Sequence, residues 1–264
     1  MSLRLDERQR AMLEEIGVRV FAPLPAVLQV ADDTPPPSPR QAAGTADQRP
    51  AVTEIAAPIP QPRPAQPAMV ARTRIPGIEG MEWDALKQAV AACQACKLCE
   101  GRRNTVFGVG DPQADWLVVG EAPGENEDLQ GEPFVGQAGK LLDNMLGAMG
   151  VSRRNGVYIA NVLKCRPPGN RNPEPEEIAQ CDPFLRRQVE LLRPKIILAM
   201  GRFAVQALLQ TNEPIGRLRG RVHRYSDVPV VVTYHPAYLL RNLPDKAKAW
   251  ADLCLAQAVL RERG

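Results

Sequence analysis

The chain has 264 residues and a formal net charge of +3, and its length accommodates one large domain and an appendage. The small positive charge permits nucleic-acid binding without requiring it, because an electrostatic footprint needs clustered Lys and Arg. No apolar run approaches the roughly 18 residues of a membrane-spanning helix and the first residues lack a hydrophobic signal core, so we expect a soluble, cytosolic protein with no membrane partner.

A short amphipathic helix is predicted over residues 1–22. Apolar side chains recur there among charged ones, as Met12, Leu13 and Ile16 illustrate. Such a helix would serve as a docking peptide for a protein partner. A marginal helix without a partner is the alternative, since short isolated helices are weak in water.

A disordered linker rich in Pro and Ala is predicted over residues 23–80. Thirteen of the 26 prolines lie between Pro23 and Pro76, in a stretch that also contains many Gln and Arg residues. Such a composition cannot bury enough apolar surface to offset the entropy that is lost on ordering.

A folded domain is predicted over residues 81–264, where apolar runs alternate with helix-like stretches. The predicted strands are residues 116–119, 157–163, 196–200 and 228–233, and the predicted helices are residues 139–149, 175–192, 203–209 and 246–262. This alternation indicates βαβ units and therefore a parallel sheet with helices on both faces. Ligands bind such sheets beyond the carboxyl ends of the strands, so we look for chemistry there.

The loop after the first predicted strand, residues 120–128, is rich in Gly, Pro and acidic residues. Glycine lets a ligand approach the backbone closely, and proline stiffens the loop. Glu121 at the strand exit would orient or deprotonate a water molecule, whereas Glu127 and Asp128 would cap a helix or face solvent. Such loops are common, so catalysis does not follow from this one by itself.

An aromatic ring and an amide are the next candidates for ligand contacts. Phe134 lies in a Gly-flanked loop, where its ring would either stack on a nucleobase or anchor the loop. Asn161 lies late in the second predicted strand, and its amide both donates and accepts, which suits the edge of a pyrimidine. A hydrogen bond from Asn161 to neighbouring backbone is the alternative.

His235 is one of two histidines and follows the last predicted strand, with Pro236 fixing the direction of the chain after it. Its ring would donate a hydrogen bond to a developing oxyanion, and a buried structural histidine is the alternative. The other histidine, His223, is assigned to the surface. Leu240 and Arg241 either wedge into a duplex and hold a phosphate, or belong to a helix that packs on the sheet.

Further basic residues lie near these motifs. They are Arg102, Arg103, Lys164, Arg166 and Arg171, in addition to Arg241. Cations that neutralise phosphates supply the sequence-independent part of nucleic-acid binding. We therefore expect a phosphate backbone to pass along them.

Six cysteines are present, and in a reducing cytosol they are metal ligands or plain thiols rather than disulfides. Cys93 and Cys96 form a Cys-x2-Cys pair, and Cys165 and Cys181 lie far downstream. Such a set suits a four-thiolate site for zinc or for an iron–sulfur cluster. Cys99 creates a second, overlapping Cys-x2-Cys, so the spacing leaves both the ligand set and the metal open.

Taken together, these segments resemble the family 4 uracil-DNA glycosylases, the iron–sulfur type found in bacteria and archaea. The similarity runs in order from about Cys93 to Leu253 and does not cover residues 1–80. The segments that carry it are Cys93-x2-Cys96-x-Leu98, Gly120-Glu121-Ala122-Pro123-Gly124-x2-Glu127-Asp128, Pro133-Phe134-Val135-Gly136, residues 158–168, Asn170-Arg171-x-Pro173, Cys181, and His235-Pro236 with Leu240-Arg241.

The resemblance implies a fold and a cofactor. The fold is a three-layer α/β/α domain around a central four-stranded parallel sheet. The cofactor is a [4Fe–4S] cluster held by Cys93, Cys96, Cys165 and Cys181, with Cys99 as a spare thiol. The resemblance also suggests a monomer.

A reaction follows from the same resemblance: hydrolysis of the N-glycosidic bond of a flipped deoxyuridine in DNA, which releases uracil and leaves an abasic site for base excision repair. Phe134 would stack on uracil and Asn161 would read its edge. His235 would stabilise the negative charge on uracil O2. Glu121 would position the attacking water, with the backbone of Gly120 lining the pocket.

Contacts with DNA are implied for Leu240 and Arg241. Ala237 stands where the family often has Ser, so we expect a weaker grip on phosphate with the chemistry intact. A related branch traps uracil covalently with a histidine in an inserted basic loop. Residues 164–175 contain no histidine and no such insert, which argues against a covalent trap.

Three alternatives stay open from the sequence. The chain would be a non-catalytic iron–sulfur protein that binds DNA, a glycosylase for another deaminated or mispaired base, or an accessory factor of a DNA polymerase with residues 1–80 as its tether.

Overall fold

The computed structural model describes residues 75–263, together with Met12 and Glu15. Met12 and Glu15 are both helical. The remainder of the predicted N-terminal helix, and the predicted linker up to residue 74, lie outside the described residues.

One mixed sheet organises residues 75–263. Its strands are β1 (Val109–Gly110), β2 (Trp116–Gly120), β3 (Val157–Asn161), β4 (Ile196–Met200), β5 (Val222–Tyr225) and β6 (Val228–Thr233). The spatial order is β1-β3-β2-β4-β6-β5. Neighbouring pairs among β3, β2, β4 and β6 run parallel, whereas β1 and β5 pair antiparallel to β3 and β6 at the two edges.

The predicted four-stranded parallel sheet is confirmed as the centre of this sheet, and the predicted strand count is corrected from four to six. Each added strand lacks the apolar run on which the prediction depends. The strand β1 has two residues, and β5 alternates exposed and half-buried positions. An edge strand packs on fewer neighbours than a central one, so its sequence carries a weaker signal.

Helices cover both faces of the sheet. They are α1 (Trp83–Ala92), α2 (Glu125–Gln130), α3 (Gln137–Ala148), α4 (Pro175–Leu192), α5 (Arg202–Leu209), α6 (Ile215–Leu218), α7 (Pro236–Leu239) and α8 (Lys246–Arg261). The four long predicted helices correspond to α3, α4, α5 and α8 within a few residues at each end. None of the helices described between residues 75 and 263 has the length and apolar character that a bilayer crossing demands.

The core consists of two layers, one on each side of the sheet. On one face, Val118 and Leu198 pack with side chains of α3 and α8. On the other face, Leu117 and Ile197 pack with side chains of α4 and α5. Successive residues of a strand point to opposite faces, so a strand covered on both sides is apolar throughout. This arrangement is the predicted three-layer α/β/α fold.

The folded region begins before residue 81, where the prediction placed its start. Ile78 belongs to a short 3₁₀ helix, Ile78–Gly80, and is 2% exposed. It packs with Leu86, Val90 and Phe184 in a third apolar cluster. The Pro-rich composition of the preceding stretch concealed this anchor, because one buried isoleucine does not change the average character of a segment.

Strand register brings the predicted strand ends together. Gly120 of β2 lies opposite Asn161 of β3, and Met200 of β4 lies opposite Thr233 of β6. The chain leaves all four parallel strands at the same edge of the sheet. The segments that follow these strands, including His235, therefore converge on one region.

Replacing Leu198 with alanine tests the assignment of the core. Leu198 is 0% exposed in the central strand β4, so we expect Leu198→Ala to lower the free energy of unfolding by about 2–5 kcal/mol through the cavity it leaves. The same change at Leu129, which is 47% exposed, should stay within about 0.5 kcal/mol of the wild type. Denaturant unfolding measures both variants, and equal losses would contradict this packing.

Candidate active site

The carboxyl ends of the parallel strands open into a cleft of about 1030 Å³. Five predicted site residues line it: Glu121, Phe134, Asn161, His235 and Arg241. These residues come from four separate segments of the chain. The structure therefore assembles in one place the side chains that the sequence offered separately.

Gly120 forms the floor beneath Phe134 and Asn161. A Cβ atom at this position would lie 2.5 Å from Cζ of Phe134 and would also overlap Oδ1 of Asn161. Glycine is thus required here by close approach of the two side chains. Gly120 itself is not among the residues that line the cleft, so its predicted role as backbone lining of the pocket stays a prediction.

The side-chain oxygen of Asn161 has no hydrogen-bond partner among the described residues. The residue is 2% exposed, and Oδ1 itself is buried. A buried polar atom without a partner costs about 1–3 kcal/mol, so native structures contain few of them. Since Asn161 lines the cleft, this oxygen is placed to accept a hydrogen bond from a ligand.

Phe134 has an unusual backbone conformation, with φ at 57° in the left-handed region. Such a conformation is unfavourable for a bulky residue and persists where neighbouring contacts enforce it. Arg153 enforces it by donating to the carbonyls of Pro133 and Phe134 at 3.0 and 2.8 Å. The ring stacks beside His235, with centroids 5.4 Å apart and planes at 29°.

Glu127 ties together two loops that border the cleft. Its carboxylate accepts hydrogen bonds from the backbone N–H groups of Gly124, Val135 and Gly136, at 3.1, 2.9 and 3.2 Å. The prediction of a helix cap is confirmed by the bond to Gly124, at the N-terminus of α2. The bonds to the loop that carries Phe134 were missed, because they depend on tertiary structure.

Asp128 contradicts the expectation of a helix cap or a solvent-facing residue. It is 3% exposed, and its carboxylate accepts from the backbone N–H groups of Arg103 and Asn104 at 2.9 and 3.3 Å. These bonds hold the segment that follows the N-terminal cysteines against α2.

His235 is held in one orientation at the N-terminus of α7. Its Nδ1 accepts a hydrogen bond from the backbone N–H of Ala237 at 3.1 Å, so a neutral ring carries its proton on Nε2. Burial lowers the pKa of His235 to about 4, and Arg241 adds to the shift while Glu127 opposes it. The ring is therefore a neutral hydrogen-bond donor near neutral pH.

Glu121 lines the cleft where the chain leaves β2. Burial raises the pKa of its carboxyl group above the ordinary value, and the positive charge of Arg202 opposes that shift. The Glu121 backbone carbonyl accepts from the N–H of Leu163 at 3.1 Å, which ties this loop to the end of β3. An ionised carboxylate in this position can accept a hydrogen bond from a water molecule.

The structure bears out the helical interpretation of the segment after His235, and the contacts of Leu240 and Arg241 with DNA stay a prediction. Pro236–Leu239 forms the short helix α7, and Leu239 is 1% exposed beneath it. Leu240, the next residue, is 42% exposed. Arg241 lines the cleft. The segment thus anchors itself with one leucine and presents the next one to solvent.

Two of the basic residues face away from the expected path of a phosphate backbone. Lys164 is 1% exposed and donates to backbone and side-chain oxygens in the interior, so its predicted phosphate contact is wrong. Arg102 donates to Sγ of Cys165 at 3.1 Å and to the carbonyl of Ala91. The sequence shows that Lys164 and Arg102 are basic, but it does not show that their side chains turn towards the interior.

Two other basic residues lie at the cleft side but have protein partners. Arg171 lines the cleft and binds Glu177 through two hydrogen bonds of 2.9 and 2.5 Å. Arg166 donates to Oδ1 of Asn170 at 2.7 Å. These contacts fix the guanidinium groups near the cleft.

The four predicted metal ligands surround a second, small cavity. Cys93, Cys96, Cys165 and Cys181 are all buried and line it, and Cys99 and Arg102 also contribute to its wall. The structure therefore brings the two distant cysteine pairs together. Cys99 lies at the same cavity and is only half-buried.

Burial of these cysteines affects the ionisation of their thiols. Burial raises the pKa of Cys165 to about 11 and that of Cys181 to about 12. Within residues 75–263, no three His, Cys, Asp or Glu side chains converge as a single metal ion would require. The structure therefore shows four buried thiols that line one cavity.

Comparison with known proteins identifies the family. Residues 107–254 match the family model described as the uracil DNA glycosylase superfamily. A type-4 uracil-DNA glycosylase of Archaeoglobus fulgidus is 46% identical over 165 residues, which covers 60% of this chain and 82% of that protein. A type-4 enzyme of Thermotoga maritima is 40% identical over 185 residues, covering 69% and 96%.

The chain belongs to the type-4 uracil-DNA glycosylases. A type-5 uracil-DNA glycosylase of Thermus thermophilus is also similar, with 31% identity over 160 residues that cover 49% of this chain and 73% of that protein. The predicted resemblance is thereby confirmed for the glycosylase domain.

Several cleft residues of this type-4 uracil-DNA glycosylase were not anticipated from the sequence. Arg202, Tyr234 and Tyr238 line the cleft beside the predicted residues. Arg202 lies two residues after the end of β4, separated from it by Gly201, close to the strand end where the rule for parallel sheets places ligands. The two tyrosines stack on each other with centroids 5.0 Å apart, a contact that sequence spacing does not reveal.

The protonation state of His235 can be measured directly. The charged ring is disfavoured by burial, so protonation should begin only as the pH falls towards the pKa of about 4. We expect the long-range ¹H–¹⁵N NMR spectrum of His-labelled protein to show the Nε2–H tautomer at neutral pH, without titration near the ordinary value of about 6.5. His235→Asn assigns the signal, since His223 is the other histidine. Titration of His235 near its ordinary pKa would contradict the assigned state.

Proposed function

We propose that this chain hydrolyses the N-glycosidic bond of deoxyuridine in DNA, releasing uracil and leaving an abasic site in base excision repair. The observation that carries the proposal is the buried, unpaired oxygen of Asn161 in a cleft that also holds a neutral His235. The type-4 relatives, which are named uracil-DNA glycosylases, support the same activity.

Recognition of the base rests on Asn161 and Phe134. The unpaired Oδ1 of Asn161 would accept the N3–H of uracil, and its amide N–H would donate to O4. Cytosine presents an acceptor at N3 and a donor at the 4-position, so it would leave both groups of Asn161 unsatisfied. Phe134 would stack on the base, and base–aromatic stacking contributes about 1–3 kcal/mol.

Bond cleavage places negative charge on the departing uracil. The Nε2–H of His235 would donate to O2, where that charge gathers. A fixed donor in a site shielded from water stabilises developing charge without reorganisation. A neutral histidine suits this task, because it donates without transferring its proton.

Glu121 would position the water that attacks C1′ of the sugar, next to the backbone of Gly120. Its half-buried carboxylate lies just after the carboxyl end of β2 and needs a hydrogen-bond donor. No lysine lines the cleft among the described residues. Hydrolysis without a covalent intermediate on lysine therefore fits the site, and the strand would stay intact.

Access to the pocket requires the nucleotide to leave the base stack, which costs a few kcal/mol and least in single strands or mismatches. Leu240 is an exposed apolar side chain beside the cleft and would fill the space that the nucleotide vacates. Arg241 would hold a neighbouring phosphate.

The cysteine cavity would hold a [4Fe–4S] cluster. In such a cluster each thiolate binds a different iron, so the ligands surround a volume and do not converge on one ion. Four buried cysteines around one cavity fit this requirement, and Arg102 offers a hydrogen bond to the Cys165 sulfur that would offset thiolate charge. When bound, the cluster would hold the N-terminal Cys-x2-Cys segment against α4 and the end of β3.

Other aspects of the prediction keep their status as proposals. The docking of a protein partner through residues 1–22 concerns residues that the structure does not describe, apart from Met12 and Glu15. A monomeric state, a cytosolic location and Cys99 as a spare thiol also stay predictions. The alternatives of a non-catalytic DNA-binding protein or a polymerase accessory factor are not favoured, since the type-4 relatives are named as glycosylases.

Incubation with single-stranded oligonucleotides tests the activity. We expect strand breaks after alkali with an oligonucleotide that contains one uracil, because an abasic site breaks in alkali, and none with hypoxanthine or thymine. The last two bases offer Asn161 a similar donor and acceptor, so their rejection would rest on the larger purine ring of hypoxanthine and on the 5-methyl group of thymine. His235→Ala should lower the rate about 100- to 1000-fold through loss of the O2 donor. His223→Ala is the matched control, since this histidine bonds to the carbonyl of Leu218 and does not line the cleft. Equal turnover by His235→Ala and wild type would overturn the mechanism.

Serine substitutions test the cluster. Cys181→Ser removes a buried cysteine of the proposed ligand set, and we expect it to abolish the brown colour of the cluster and to reduce bound iron. Cys254→Ser is the matched control, because Cys254 lies in α8, packs against the core and does not line the cysteine cavity. Iron analysis of anaerobically purified protein measures both. Full iron content in Cys181→Ser, or zinc in place of iron in the wild type, would contradict the proposal.

A further inference from the structure

A lysine is buried behind the uracil-reading asparagine. Lys164 is 1% exposed and ranks among the largest fully buried side chains of the described residues. Lysines are almost never fully buried unless they are paired. Here Nζ donates to the backbone carbonyl of Asn161 at 2.8 Å and to Oε1 of Gln188 at 2.6 Å. Lys164 does not line the cleft.

The backbone explains why these donors are needed. Strand β1 pairs with β3 at Tyr158 and Ile159 and goes no further. Beyond that point the carbonyls of Asn161 and Phe107 accept from side chains, namely Lys164 and Nε2 of Gln188, the latter at 2.9 Å. A buried carbonyl must find a donor, and two side chains supply it where the ladder ends.

The backbone that follows Asn161 is also fixed by hydrogen bonds on its other side, towards β2. The N–H groups of Val162 and Leu163 donate to the carbonyls of Gly120 and Glu121 at 3.0 and 3.1 Å. The peptide that follows Asn161 is therefore held by β2 on one side and by Lys164 on the other. The position of the Asn161 side chain depends on both.

We propose that Lys164 is a positioning residue, which sets the orientation of the Asn161 amide in the pocket through the backbone carbonyl of Asn161. The inference rests on the proposed role of Asn161 in reading uracil. Lys164 does not line the cleft but lines the cysteine cavity, and in this proposal its effect on the reaction passes through the hydrogen bond to the carbonyl of Asn161. Gln188 holds the ammonium group from α4, the helix that also carries Cys181.

A purely structural role for Lys164 makes a different prediction. If the ammonium group merely satisfies buried carbonyls, its loss should slow the reaction by the same factor whether or not Asn161 is present. If it acts through Asn161, its loss should matter little once the amide is gone. A double-mutant cycle separates these cases, since coupling appears only between groups that act together.

The experiment compares four proteins: wild type, Lys164→Met, Asn161→Ala and the double variant. Single-turnover rates are measured on a uracil-containing single strand, with enzyme in excess and below the unfolding temperature of every variant. We expect Lys164→Met to lower the rate at least about tenfold in the wild-type background and less than about threefold in the Asn161→Ala background. Iron content and thermal midpoint of each protein are recorded as readouts of cluster loss and folding.

Equal factors in the two backgrounds would overturn the proposal in favour of a structural role. An effect below about threefold in the wild-type background would overturn it as well. A wild type without turnover refutes the proposed function itself, which distinguishes the two failures.

Gln188 supplies a second route to the same result. Gln188→Met removes the acceptor that holds the ammonium group and should reproduce the effect of Lys164→Met, including its dependence on Asn161. Gln188→Glu keeps an acceptor oxygen for Lys164 and should retain much more of the rate than Gln188→Met. If Lys164→Met does not fold, the cycle is run with Gln188→Met, and equal losses in the two Gln188 variants would contradict the role of the ammonium contact.

Discussion

The parallel pairing of β2 with β3 is the constraint on which the pocket depends. It sets Gly120 directly beside Asn161, so that a glycine without a side chain lies where the amide and the Phe134 ring must fit. A shift of one residue in this register would turn Asn161 to the opposite face of the sheet. The apolar cores on both faces resist such a shift, because it would move Val118 or Ile159 from the packed layer that each fits into the opposite one.

Local geometry around the cleft is enforced by charged side chains that bind backbone groups. The carboxylate of Glu127 holds two loops together, and the guanidinium of Arg153 holds Phe134 in a left-handed conformation. Charge-assisted hydrogen bonds to backbone are stronger than neutral ones and define direction. The donors and rings that would meet the base are therefore in place before it arrives, which is the condition for electrostatic catalysis without reorganisation.

The sequence predicted the parts of the fold that have strong local signals. The central strands are apolar because both faces are covered, and α4 begins at Pro175, a residue suited to the first helical position. The edge strand Val222–Tyr225 escaped prediction, since it includes His223 and Arg224 and is half exposed. For the site, strand ends and motif spacing indicated residues that the structure brings to one cleft, but Lys164 was assigned to the path of a phosphate backbone. Its burial depends on Gln188, which is distant in sequence.

If Asn161 reads the base as proposed, its unpaired oxygen links binding of the base to the folding of the domain. An empty pocket keeps a desolvated acceptor without a partner, a penalty of about 1–3 kcal/mol that the folded chain carries by itself. A ligand that fills this position relieves the penalty and so stabilises the native state in proportion to its affinity. The free base that is released by cleavage would occupy the same position and remove the same penalty. Departure of the product therefore returns the protein to its less stable form, so the feature that favours recognition also slows release.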